Sequence, residues 1–250
     1  MRHEVEFDWI EGSKLVARKG MTGATGNIYC GLHEFVDMAF LLHLLRPDDL
    51  FIDVGANVGS YTVLASAVCK SSSIAIEPDP GTVQSLRRNI AANRMEGRVR
   101  LIEAALGSCG GFVRFTVGRD TTNRVADETD RNAHDVRVLT LDQVAAGECP
   151  VLIKMDVEGY ESRVVDGGAE TLGKSSLLAI ITETADQGVR SALEGAGFQT
   201  ASYEPFRRDL KFSVGETSAG LHNTLFVRDL EMCRARLEAA PRRAILGQEI

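Results

Sequence analysis

The chain has 250 residues, 44% hydrophobic and 25% charged, with a formal net charge of −7. That length gives one large α/β domain a full apolar core without disulfides or metal, and the acidic balance weighs against a nucleic-acid partner, which favours a basic surface. The cysteines Cys30, Cys69, Cys109, Cys149 and Cys233 form no metal knuckle. With no apolar leader after Met1 and no run long enough for a bilayer, a reducing cytoplasm and no membrane partner are expected.

In chain order, residues 1–45 read as a cover segment ending in an amphipathic helix near His33–Leu45. Residues 46–228 read as the core and 229–250 as a solvated helical tail, all within one domain. The core repeats strand, glycine-rich turn and helix, which predicts a mostly parallel sheet covered on both faces. The first strand is Leu50–Val54, followed by a helix over Gly59–Cys69 and a second strand at Ser73–Glu77. Asp79 caps the next helix and Pro80 suits its first position. Val83, Leu86 and Ile90 then recur at helical spacing. A third strand is Val99–Ile102. Gly111–Val117 and Val136–Leu141 read as a hairpin addition around a polar excursion, Gly118–Asp135. The fourth and fifth strands are Val151–Asp156 and Leu178–Glu183, followed by a helix over Gly188–Ala196. Strands at Phe198–Tyr203 and Asn223–Arg228 have no helix between them and should be antiparallel. The beginning of the last one then shares a rim with the ends of the parallel strands. That places His222 and Asn223 beside Asp53 and Asp156.

Three strand ends carry acids. Asp53 precedes Gly55-Ala56-Asn57-Val58-Gly59, a Gly-x-x-x-Gly turn that opens a helix. It is not the Gly-x-Gly-x-x-Gly fingerprint that brings bare amides to a pyrophosphate. A carboxylate here suits a positively charged ligand instead, and S-adenosylmethionine carries an ammonium, a sulfonium and no phosphate. Glu77 closes the second strand 24 residues after Asp53, in front of Pro78. One carboxylate there can accept from both hydroxyls of a ribose. Glu103 ends the third strand and could accept from an adenine amine, with Ala104 and Ala105 leaving room for the ring. Together these predict a nucleoside pocket.

At this point the residues resemble the FkbM family of methyltransferases. The likeness begins at Leu32-His33-Glu34, which adds Glu34 to the cofactor set. It continues through Phe51–Thr62, Ile76–Pro80 and Val138–Asp142, and is most specific at Leu152-Ile153-Lys154-Met155-Asp156-Val157-Glu158-Gly159-Tyr160-Glu161. Weaker echoes are Ile181-Thr182-Glu183 and Asn223-Thr224-Leu225-Phe226-Val227. The resemblance implies a class I methyltransferase fold, Rossmann-like α/β, with a seven-stranded, mostly parallel sheet whose last strand is antiparallel. It also implies methyl transfer to an oxygen of a sugar, glycan or other small natural product. Tyr160 departs from the smaller residue of many relatives.

Such a transfer needs in-line alignment, worth roughly 7–11 kcal/mol in good cases, and a positioned base, worth about 10²–10⁴-fold. Asp156 is the leading base, with Lys154 two residues earlier on the same face to steady it. His222 is the rival. Candidates for the acceptor are Glu158 in the turn after the fourth strand, Glu183 at the end of the fifth, Asn123 on the long loop Gly118–Asp135 and Arg207 on Glu204–Leu221, which also carries Arg208 and Lys211. Basic residues there hint at an anionic handle on the acceptor. Asp156, Glu158 and Glu183 could offer oxygens to a divalent ion, but no His or Asp stands at diagnostic spacing and no metal is expected. An N-methyltransferase for an amino sugar, a nicotinamide-dependent oxidoreductase and a non-catalytic nucleoside-binding module are the alternatives. The acceptor's identity and a homo-oligomeric state stay open.

Overall fold

A computed structural model of the chain describes residues 4–18, 21–116, 125, 133–183, 185–213 and 223–250. The central sheet is built from β1 (Leu50–Val54), β2 (Ser72–Ile76), β3 (Val99–Ile102), β4 (Pro150–Met155), β5 (Ala179–Thr182), β6 (Gln199–Glu204), β7 (Asp209–Phe212) and β8 (Thr224–Val227). Their order is β7-β6-β8-β5-β4-β1-β2-β3. β1 to β5 pair in parallel. β8 runs antiparallel to both β5 and β6, the orientation expected from the sequence. Among the described residues, no helix is long and apolar enough to cross a membrane.

The central strands are buried on both faces, so they read as continuous apolar runs. Side chains alternate. Phe51 and Leu152 join one core with Phe40, Leu41 and Leu64. Ile52, Val54, Ile153 and Met155 join the other, with Val164, Ile180 and Phe226. Asp53 and Lys154 interrupt this pattern on the first face. They are register partners on adjacent strands, only 1% and 3% exposed. Charges so deep persist only when paired, which places the site at this point of the sheet.

Three parts depart from the sequence reading. First, β7 adds an eighth strand at the sheet edge, inside the segment read as a loop over Glu204–Leu221. Leu210 is fully buried on it, and Phe212 packs on the core. Second, the tail is not simply a solvated helix. The helix Leu230–Glu238 buries Cys233 and Leu237, and the short pair Ala244–Ile245 and Gln248–Glu249 returns the chain so that Ile250 is fully buried. Third, the cover segment contains a hairpin, Glu4–Asp8 with Lys14–Arg18, and a helix, Thr22–Cys30, before the helix Phe35–Leu44. The hairpin addition is present: Gly111–Thr116 pairs antiparallel with Ala133–Leu139, and Ala105–Leu106 joins them as a third strand. Of the excursion at 118–135, only Val125 and residues 133–135 are described.

Candidate active site

A cavity of about 300 Å³ opens at the ends of β1, β2, β4 and β5. Its floor is the turn after β1. Gly55 has φ +78°, and a Cβ there would fall 1.9 Å from the Asp156 carbonyl oxygen. Gly59 has φ +92°, with the Leu86 side chain 2.3 Å from an added Cβ. Only glycine lets this turn approach β4 and the helix Pro80–Ala92 so closely. Asp79 caps that helix by accepting from the Thr82 amide at 2.7 Å.

Around this floor stand six carboxylates, from Glu34, Asp53, Glu77, Asp156, Glu158 and Glu183, against one lysine, Lys154. Glu77 is buried and spends one oxygen on the Asn57 amide at 3.0 Å and the other on the Asp79 amide at 2.9 Å. Burial pushes its carboxyl up to about 7 despite those donors. Asp53 accepts from Thr62 Oγ1 at 2.6 Å, and burial raises it to about 6, opposed by the charge of Lys154. Lys154 Nζ donates to Asp156 Oδ2 at 2.7 Å and lies 4.7 Å from the centre of the Tyr61 ring. Burial disfavours that ammonium, yet the charges of Asp156, Glu34 and Asp53 outweigh it and hold Lys154 protonated, above its ordinary value. Burial also opposes ionisation of Asp156, but Lys154 keeps it below the ordinary range.

Glu183 differs. It is exposed at the end of β5. Partial desolvation and the negative charges of Asp156 and Glu158 push it up to about 8. Oxygens of Asp156, Glu158 and Glu183 all lie within 4.8 Å of one another. Asp156 commits Oδ2 to the Lys154 ammonium, so a dication at this trio would stand beside a fixed positive charge. Glu161, which is buried, accepts from the Val157 and Gly159 amides at 3.1 and 3.4 Å and pins the turn that carries Glu158.

The structure thus brings together Glu34, Asp53, Gly55, Ala56, Asn57, Glu77, Pro78, Ala104, Ala105, Lys154, Asp156, Glu158 and Glu183 around one space. Glu103 is not among the lining residues; its carboxylate is half exposed, 4.0 Å from Arg87. Arg207 is exposed in the turn between β6 and β7, its amide donating to Glu204, and is likewise outside the lining. Of the other basic candidates nearby, Arg208 donates to the carbonyls of Leu237 and Ile250, and Lys211 pairs with Asp209. His222 and Asn123 lie outside the described residues. Asn223 is on the expected rim and donates to Glu34 and Asp37, both at 3.0 Å.

Two lining residues, Asn27 and Phe115, carried no signal in the sequence. Asn27, on the helix Thr22–Cys30, donates to Ser60 Oγ at 3.1 Å and accepts from the His33 amide at 2.9 Å, which closes one wall. Leu106, Phe115, Val125 and Tyr160 add an apolar part to the lining. The cavity lining is therefore partly acidic and partly apolar. That donor set fits an amphiphilic cation with an aromatic base, such as S-adenosylmethionine, and opposes a pyrophosphate.

Comparison with known proteins agrees with this geometry. The family model described as the methyltransferase FkbM domain matches residues 53–200, more than half of the chain. Hexuronic acid methyltransferase AglP of Haloferax volcanii is 30% identical over 135 residues, covering 53% of this chain and 55% of that protein. The 2-O-methyltransferase NoeI of Sinorhizobium fredii is 29% identical over 166 residues, covering 58% of this chain and 66% of that one. The chain spans about half to two thirds of the length of these curated relatives. A crystal structure from Pyrococcus horikoshii, assigned as a transferase, superposes with a TM-score of 0.50 at 17% identity over 91% of this chain and 72% of that one. That likeness and the sheet order are those of the Rossmann-like, class I methyltransferase fold.

Proposed function

The chain belongs to the methyltransferase FkbM domain family, and on that premise we propose that it moves a methyl group from S-adenosylmethionine to a hydroxyl of a sugar, glycan or other small natural product. The observation that carries this reading is the sign of the cavity: six carboxyl groups and one lysine around a space with apolar lining beside them. When bound, the cofactor supplies an electrophilic methyl on a positively charged sulfur.

The chain's own residues then have separate tasks. Glu77 has lone pairs free beyond its two amide partners and holds the ribose diol. Ala104, Ala105, Leu106 and Phe115 enclose the adenine. Asp53 and Glu34 favour the cationic end, and the turn over Gly55–Gly59 lets the backbone come close. Lys154 and Asp156 form the acceptor side, with Glu158 and Glu183 at its mouth. Alignment there provides most of the rate. The sugar is supported by the names of AglP and NoeI, which modify a hexuronic acid and a 2-oxygen. The acceptor's reacting end is neutral on this reading, because an anion would meet the acidic rim.

Calorimetry with S-adenosylhomocysteine tests the pocket, and tritium transfer from labelled cofactor to a panel of sugars tests the reaction. We expect binding at micromolar concentrations and label in a sugar hydroxyl. A chain that ignores S-adenosylhomocysteine but binds a nicotinamide dinucleotide refutes the proposal. Binding without transfer to any hydroxyl or amine leaves a nucleoside-binding module.

A further inference from the structure

Resting on the reading above, we infer that Glu183, rather than Asp156, takes the proton from the acceptor hydroxyl, while Asp156 and Lys154 act as its positioning pair. Both acids line the cavity, at the ends of neighbouring strands β4 and β5. Their surroundings separate their roles. Asp156 Oδ2 is held at 2.7 Å by an ammonium only 3% exposed, which is itself fixed over the Tyr61 ring. A carboxylate neutralised in this way has little affinity for another proton.

Glu183 meets the opposite environment. Among the described residues, the charged groups acting on it are Asp156 just after β4, Glu158 in the following turn and Glu161 at the start of the helix Glu161–Asp166, all acids, while the Lys154 charge is spent on Asp156. From β8 the described neighbour is neutral Thr224, the register partner of Thr182. Carboxylate oxygens of Glu183 and Asp156 lie within 4.8 Å of each other, so the ion-paired acid stands directly against the free one. Partial desolvation and these repulsions lift Glu183 to about 8, where a carboxylate has a proton affinity matched to work near neutral pH. Glu183 is also exposed, so a captured proton can leave to water.

The step balances. The acceptor O–H proton passes to a Glu183 oxygen as the acceptor oxygen gains the methyl carbon. The electron pair of the broken C–S bond stays on sulfur. One positive and one negative charge become a neutral thioether and a neutral carboxylic acid.

The test uses the full chain labelled with ¹³C at glutamate carboxyl carbons and followed by NMR from pH 5 to 10, beside kcat/KM profiles on the best acceptor sugar. We expect one signal to titrate near pH 8, to vanish in Glu183→Gln and to move to lower pH in Asp156→Asn. Activity should rise through the same pH in the wild type. Glu183→Gln should lose about 10²-fold or more together with that limb, and bind S-adenosylhomocysteine within about twofold of wild type. Asp156→Asn should keep a limb, shifted to lower pH. Glu183→Gln within threefold of wild type, or a Glu183 signal titrating below pH 6, overturns the inference. Failure of the wild type to bind S-adenosylhomocysteine overturns the functional reading beneath it instead.

Discussion

Gly55 shows how one residue type sets the site. Its φ of +78° and the Asp156 carbonyl 1.9 Å from an added Cβ leave no room for a side chain. Gly55→Ala combines backbone strain with overpacking, which alone costs about 1–3 kcal/mol. Chemical denaturation should show that loss, and cofactor affinity should fall with it because the turn moves away from β4. Glu77 acts more narrowly. Glu77→Ala removes a charged acceptor and strands the Asn57 and Asp79 amides. A hydrogen bond to a charged group is worth about 1.5–3 kcal/mol, so S-adenosylhomocysteine affinity should drop roughly 10–100-fold by calorimetry. Asp53, Glu77, Lys154 and Asp156 were legible in the sequence because each sits at or near the end of an apolar strand, where topology fixes its direction. The outward turn of Glu103 toward Arg87 was not, because a strand end can release its side chain to either side. Asn27 and Phe115 were invisible for another reason: they reach the cavity from elements far away in the chain.

The elements most legible in the sequence were those whose periodicity local burial enforces. β1 and β3 occupy the predicted residues, and the others differ by a residue or two at their ends. β7 was missed because only Leu210 and Phe212 carry its apolar alternation, within a charged run beginning at Arg207. The N-terminal hairpin was missed because its outer strand buries little; its inner strand is held by side chains of another element. The Val16 amide donates to Asn89 Oδ1 at 2.7 Å, and Asn89 Nδ2 donates to the Val58 carbonyl at 2.7 Å. Asn93 accepts from the Lys14 amide at 2.8 Å. Asn89 is therefore a buried clasp joining the hairpin, the helix Pro80–Ala92 and the cofactor turn. Asn89→Ala leaves both partners unmet, at about 1–3 kcal/mol. Melting should fall by roughly 2–4 °C per kcal/mol for a chain of this size, and hydrogen exchange should accelerate at residues 14–18 before the sheet.

At the scale of the whole molecule, the cavity concentrates the acidity that the net charge only hints at. Burial raises Asp53 to about 6, Glu77 to about 7 and Asp37, which shares Asn223 with Glu34, to about 7, and partial desolvation with neighbouring acids raises the exposed Glu183 to about 8. An unfolded carboxyl titrates near about 4. The folded chain therefore holds more protons than the unfolded one across about pH 4 to 8, and its stability must fall as pH rises through that window. Below about pH 4 the unfolded chain is protonated too, and the raised groups stop contributing to the slope; Asp156, held low by Lys154, begins to oppose it there. A cationic ligand reverses the preference, since it stabilises the ionised acids. S-adenosylmethionine should thus bind more tightly at pH 8 than at pH 6 and release protons as it binds. S-adenosylhomocysteine lacks the sulfonium, so its affinity should depend less on pH. Melting curves of the free chain from pH 5 to 8.5, and calorimetry of both ligands in buffers of different ionisation enthalpy, measure these quantities directly. A melting temperature that rises across that range, or binding that takes up protons, would show that the buried acids are ionised before the ligand arrives.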